Sequence, residues 1–188
     1  MSDLTSALER IATWYWENKP SFHPVFQQGL AKSDIDDLVQ DLDFPLPDEV
    51  YELYQWCNGS CEIPIAFHQQ YILPLEVAVR WRQDRYGLSY GEDWMQDDPT
   101  WFPVFRLWSS HAFYVVVLGN KEKSPVRNYD PECESYNVYY DSLTNLLLHS
   151  AEWLESAQYF GNIDGWEVEN RIDKRLQLKY RVHESVKT

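Results

Sequence analysis

Apolar positions change their period along this chain, and each change marks an element. Leu4, Leu8, Ile11 and Tyr15 recur three or four residues apart, the spacing of one helical face. The spacing predicts a first helix that stops before Pro20, because a residue preceding proline is biased away from the helical region. Residues 20–32 read as a connecting loop that carries Phe22, His23 and Phe26. A second helix follows, with Ser33 predicted as its cap and Asp36 three residues on. Asp34, Asp36 and Asp37 favour the positive end of its dipole, and Ile35, Leu38, Val39 and Leu42 form its apolar stripe. Asp43-Phe44-Pro45 ends it. The third helix is the most fully specified. Pro47 suits the first helical position, where a missing N–H costs nothing. Val50, Leu53, Tyr54 and Cys57 repeat at i, i+3, i+4 and i+7, and Asn58-Gly59 predicts a left-handed stop.

From Ser60 onward the apolar runs shorten toward strands. Residues 63–67 and 70–73 are candidates, and Pro74 predicts a fourth helix through Glu76, Val77, Val79 and Trp81. Residues 86–101 form a loop with Gly87, Gly91, Pro99 and the acids Glu92, Asp93, Asp97 and Asp98. Strands are predicted over 102–108 and 112–118; the second, a continuous apolar run, suits a central strand covered on both faces. A turn at 120–125 leads to strands at 126–129 and 137–140, which flank an acidic loop containing Pro131 and Cys133. Leu143, Leu146, Leu147, Ser150, Trp153, Leu154 and Ala157 predict a closing helix, broken by Gly161 and Gly165. Residues 166–181 predict a last helix with Val168, Ile172, Leu176 and Tyr180 on one side. The fold class is α+β: N-terminal helices on a mostly antiparallel, twisted sheet with a closing C-terminal helix. Residues 1–159 read as one domain and 160–188 as a basic, helical extension.

Charge narrows the partners. The chain has 16 Lys and Arg against 30 Asp and Glu, a net charge of −14. That disfavours nucleic acid and anionic membrane surfaces, which are bound through Lys and Arg. It suits a basic protein partner, steered by opposite charge. Charge is also uneven: no Lys or Arg lies between Ser33 and Val79, while Arg171, Lys174, Arg175, Lys179, Arg181 and Lys187 crowd the end. The basic tail docks on the acidic body, docks on another copy, or is solvated; sequence leaves the three open. Nine Trp and thirteen Tyr supply material for both a core and a recognition surface.

Little of the chemistry of an enzyme is present. Three cysteines, Cys57, Cys61 and Cys133, make neither a disulfide framework nor a four-ligand zinc site. With an N-terminus that lacks a signal-like pattern, they predict a reducing, cytoplasmic setting. His23, His68, His111, His149 and His183 sit in no nucleophile motif, and there is no Gly-rich phosphate loop. No cofactor or metal is expected. Paired acids such as Asp97-Asp98 leave one alternative, a hydrolase using loop carboxylates. The same loop is the candidate partner surface: Tyr86, Tyr90, Asp93, Trp94, Asp97, Asp98 and Trp101 place aromatics around acids. The plainer reading is that both Trp pack inward and the acids keep the loop soluble.

Three stretches resemble the SMI1/KNR4 family of the SUKH superfamily. The first runs from Gly29-Leu-Ala-Lys-Ser-Asp-Ile-Asp-Asp-Leu into Phe44-Pro-Leu-Pro-Asp-Glu-Val-Tyr-Glu-Leu-Tyr-Gln-Trp-Cys-Asn-Gly59, like the family's Leu-Pro, Tyr-centred helix and Asn-Gly. The second is Trp101-Phe-Pro-Val-Phe, and the third Val126 through Tyr140 into Ser142-Leu143. The central strand departs from the family's Gly and Asp, reading Ser109-Ser-His-Ala-Phe-Tyr-Val-Val-Val-Leu-Gly119. The resemblance implies a non-catalytic protein-binding domain. It is either an immunity-type inhibitor of a basic toxin or a housekeeping scaffold or regulator without one.

Overall fold

The computed structural model describes residues 1–18, 26–60, 70–83, 101–107, 113–117, 124–129, 138–156 and 170–182. In order, these form α1 (Asp3–Asn18), β1 (Phe26–Gln28), α2 (Lys32–Val39), α3 (Asp48–Trp56), β2 (Cys57–Ser60), β3 (Gln70–Ile72) and α4 (Leu75–Gln83). They continue as β4 (Trp101–Leu107), β5 (Phe113–Val117), β6 (Val126–Tyr129), β7 (Val138–Tyr140), α5 (Leu143–Ser156) and α6 (Asn170–Tyr180). The class is α+β, as the sequence predicts. Strands β3 to β7 make one antiparallel sheet in chain order, with β5 at its centre. Strands β1 and β2 pair separately.

Helix α5 is the spine of the core. Leu143, Leu146, Leu147, Ala151, Trp153 and Leu154 are buried along it, and α1 packs beside it through Leu4, Leu8 and Ile11. Helix α3 adds Val50, Leu53, Tyr54 and the following Cys57, all on the face its spacing predicts. The sheet contributes Ile72, Phe102, Phe105, Val126 and Tyr140 from one side. A core of this extent removes enough apolar surface from water to hold the fold without cross-links.

Local details depart from the sequence pattern for identifiable reasons. Ser33 does not cap α2. The Ala31 carbonyl already accepts from Asp34 N and Ile35 N, so the ladder starts before Ser33, and Asp36 is engaged elsewhere. Pro47 flanks α3 as its N-cap with extended backbone, and Asp48 begins the helix. Its carbonyl still accepts from Val50 N and Tyr51 N. Gly59 has the predicted left-handed φ, at 103°, but it lies inside β2 and not in a helix stop. Helix α3 has already ended, because Cys57 is extended. A Cβ on Gly59 would lie 3.1 Å from Pro74 Cγ, so glycine there admits both the backbone turn and the neighbour.

The loop predicted over 20–32 contains a strand. Three residues are too few to show an alternating pattern, so β1 is legible only through its partner β2. After it, a Cβ on Gly29 would stand 1.9 Å from the Gln55 carbonyl oxygen. This close passage lets Leu30 N donate to the Tyr54 carbonyl at 2.9 Å, satisfying a group the end of α3 would otherwise leave open.

Helix α6, in the predicted extension, docks on α5. Leu176 is buried with the core, Lys179 Nζ meets Glu152 Oε1 at 2.5 Å, and Tyr180 Oη also donates to Glu152. Past α6, Arg181 bridges antiparallel to Tyr140, and Val182 N donates to the Tyr139 carbonyl at 3.0 Å. Of the three dispositions left open for the basic tail, its described part, α6 and residues 181 and 182, docks on the protein's own body. The predicted strand over 63–67 lies outside the described residues.

Candidate functional site

The acids of the cation-free stretch divide into two groups with different work. One group turns inward and closes helix ends. Glu49, on α3, accepts from Leu143 N at 3.2 Å and Thr144 N at 3.1 Å, and also from the hydroxyls of Thr144 and buried Ser124. Ser142 Oγ takes Asn145 N at 3.1 Å, and the Ser142 carbonyl takes Leu146 N. All four leading amides of α5 are thereby satisfied, and a carboxylate sits at the positive end of its dipole. One turn along α3, Glu52 does the same for α1: it accepts from Thr5 N at 3.2 Å, Thr5 Oγ1 at 2.6 Å and the Ser2 hydroxyl. Asn58 Oδ1 accepts from Leu75 N at 2.7 Å at the start of α4, while its amide donates to Glu76 at 3.0 Å.

The other group faces water. Asp34 and Asp37 are exposed on the side of α2 opposite buried Ile35, and Asp41, four residues past Asp37, is exposed in the turn that follows the helix. Asp43 and Asp48 extend this exposed acidic surface through the turn into α3. Asp36 is exposed but engaged. Tyr51 Oη donates to it at 2.6 Å and Lys32 Nζ at 3.1 Å, and these bonds hold its carboxyl below the usual carboxylate range. Burial and the Asp36 contact together push the Tyr51 phenol up to about 12.

At the end of this surface lies a pocket of about 170 Å³ lined by Asp41, Leu42, Asp43, Arg82 and Gln83. Arg82 is nearly buried and its guanidinium stands 3.7 Å from Asp43. The volume is below the roughly 300 Å³ of ordinary small-molecule sites. Among the described residues no three His, Cys, Asp or Glu gather as metal ligands. Cys57 is buried, and burial pushes its thiol up to about 12, against the opposing effect of the Gly59 backbone N–H. It is therefore a poor nucleophile. His149 is fully buried beside Tyr140 Oη at 2.9 Å and is stacked on Tyr180.

Of the candidate partner residues, Tyr86, Tyr90, Asp93, Trp94, Asp97 and Asp98 lie outside the described residues. Trp101 opens β4 and is only 3% exposed, with the Arg127 guanidinium 5.7 Å from its ring centroid. It packs inward and offers no exposed anchor. Among the exposed acids of the described residues are Asp34, Asp36 and Asp37 of α2, whose helical spacing was already present in the sequence.

The helix pair α2–α3, the β2 turn, the five-strand meander and the first half of α5 fall within one match: the SMI1/KNR4 family (SUKH-1) model aligns with residues 29–149. The chain belongs to the SMI1/KNR4 family. The match begins at Gly29, the glycine wedged against α3, and ends at His149 within α5. Helices α1 and α6 stand outside it. Curated proteins provide no further match. Membership suggests a non-catalytic domain of immunity or regulatory type, associated with protein interactions. Among the described residues no helix is long and apolar enough to cross a membrane.

Proposed function

We propose that this SMI1/KNR4 protein is a cytoplasmic, non-catalytic binder that inhibits a basic protein toxin through its acidic α2 surface. The carrying observation is the division of acids: Glu49 and Glu52 are consumed in closing helices, whereas Asp34, Asp37, Asp41 and Asp48 remain exposed, with Asp43 exposed beside Arg82. Asp34, Asp37, Asp41 and Asp48, exposed on a rigid helix and turn, are placed to pair with the Lys and Arg by which a nuclease-type toxin holds phosphate. Charge steering at such a surface acts mainly on the association rate and on specificity. Tyr86, Tyr90, Asp93, Trp94, Asp97 and Asp98 remain candidate contacts from the following loop.

The test is to look for a toxin reading frame next to this gene and to titrate its product calorimetrically. Saturable binding at micromolar concentration, weakened by D34K/D37K/D41K, is the expected result. No heat and no complex would sink the toxin reading and leave a regulatory scaffold as the alternative. A hydrolase using Asp93, Asp97 and Asp98 is the third reading; activity in a broad hydrolase screen that those substitutions abolish would establish it.

A further inference from the structure

The pocket at the end of the acidic surface has walls of unlike chemistry. Asp41, Leu42 and Asp43 come from the turn after α2, and Arg82 and Gln83 from the last turn of α4, which packs beside α2. Its volume of about 170 Å³ leaves room for one long side chain and not for a drug-sized molecule. Asp41, Asp43 and Gln83 are exposed at its rim, Leu42 is half-buried, and Arg82 is nearly buried at the inner wall. The pocket stands where the acidic α2 surface ends and where the chain, past Gln83, enters the loop that carries Tyr86 and Tyr90.

The two rim carboxylates have acceptor positions to spare. A carboxylate offers about four lone-pair sites. Among the described residues no donor bonds to the Asp41 side chain, and the Arg82 guanidinium, at 3.7 Å from Asp43, is beyond hydrogen-bond reach of it. Charge then sets the sign of a guest. Two carboxylates against one guanidinium leave the walls net negative, and the nearly buried Arg82 holds the positive charge at the back, away from the mouth.

We propose that this pocket seats one arginine side chain of a protein partner. The guanidinium lies between Asp41 and Asp43 at the rim, with its methylene stem on Leu42. Its five N–H groups, fixed in one plane, serve both carboxylates and the Gln83 carbonyl oxygen together. A lysine brings three donors on a compact, strongly hydrated charge, so it fits less well. A carboxylate reaching for Arg82 meets two acids on the way in. Like charge keeps the arginine head away from Arg82, so the guest stays at the rim and the pocket reads a side chain at a protein surface. That the arginine belongs to a basic toxin rests on the function proposed above; the pocket itself does not depend on it.

The test is an NMR titration of the full, isotope-labelled chain with N-acetylarginine methylamide, and with the lysine and glutamate compounds of the same form. The arginine compound is expected to give saturable shifts in the millimolar range at the amides of residues 41–43, 82 and 83. The lysine compound binds about twofold weaker or more, and the glutamate compound gives no shifts there. Asp41→Asn, which alters one exposed side chain and leaves Asp43 with Arg82, weakens arginine binding about twofold or more, and D41N/D43N about fivefold or more. The proposal is overturned if the arginine shifts fail to saturate or fall elsewhere, or if Asp41→Asn keeps the wild-type affinity. It is equally overturned if the lysine or glutamate compound binds the pocket as well as the arginine compound. Arginine binding by a protein that captures no basic toxin would refute only the toxin reading. Toxin binding weakened by D34K/D37K but unchanged by D41N/D43N would refute only the pocket.

Discussion

Replacing Glu49 with alanine removes one carboxylate and unsettles two helices at once. The side chain belongs to α3, yet two of its four acceptor contacts are backbone amides of α5, from Leu143 and Thr144, and two are hydroxyls, from Ser124 and Thr144. Loss of a helix cap costs about 1 kcal/mol. Loss of a negative charge at a helix start costs up to about 1 kcal/mol. Hydrogen bonds to a charged group are worth about 1.5–3 kcal/mol. These contributions overlap, since they count the same bonds, and together they give about 3 kcal/mol for Glu49→Ala. Glu49→Gln keeps an acceptor oxygen and loses the charge, so about 1 kcal/mol is expected. Urea unfolding followed by tryptophan fluorescence measures both. For a chain of this size the alanine variant lowers Tm by about 6–12 °C. A loss below about 0.5 kcal/mol for Glu49→Ala, the ordinary range of a surface substitution, would refute the claim that this carboxylate joins α3 to α5.

Four further outcomes are expected. Gly29→Ala places a Cβ where the Gln55 carbonyl stands, so it destabilises by about 3 kcal/mol or more in the same urea assay, a cost set by backbone displacement. Gly59→Ala costs about 1–2 kcal/mol, because an L residue is strained at φ 103° and its Cβ meets Pro74. Cys57 resists a thiol reagent at pH 8 in the folded protein and reacts on unfolding, as peptide mapping of the labelled site would read. Burial opposes ionisation of Glu152, but its bonds from Lys179 and Tyr180 prevail and hold its carboxyl below the usual range. A depressed folded value contributes stability that is complete above about 4.3, the unfolded range, and is lost as pH falls through the folded value. The stability gap between wild type and Glu152→Gln therefore narrows from pH 6 to pH 3.

How much of this was legible beforehand follows from the range of the interactions concerned. The stripe Val50, Leu53, Tyr54 and Cys57 was legible because burial of one helical face leaves a local period. The strand order was legible in outline because β4 to β7 follow one another through short connections. The roles of Glu49 and Glu52 were not: as residues of the first turns of α3 they look like ordinary dipole partners. The donors to their carboxylates lie on α5 and α1, 94 and 47 residues away in sequence. Ser33 misled for the opposite reason. A local capping pattern was present, but a carbonyl two residues earlier began the ladder first. Trp101 beside Asp97 and Asp98 resembled an exposed anchor, since sequence alone does not say which side of a strand the ring takes.

The most direct test of the central claim is a titration of a basic toxin from a reading frame adjoining this gene into wild type and into D34K/D37K/D41K at two salt concentrations. The account predicts saturable binding to wild type, weakened about tenfold or more by the charge reversal and by raising salt from 50 mM to 500 mM. The variant stays folded, because Asp34, Asp37 and Asp41 are exposed. Absence of binding to wild type, or equal affinity for both proteins at both salts, would contradict the account.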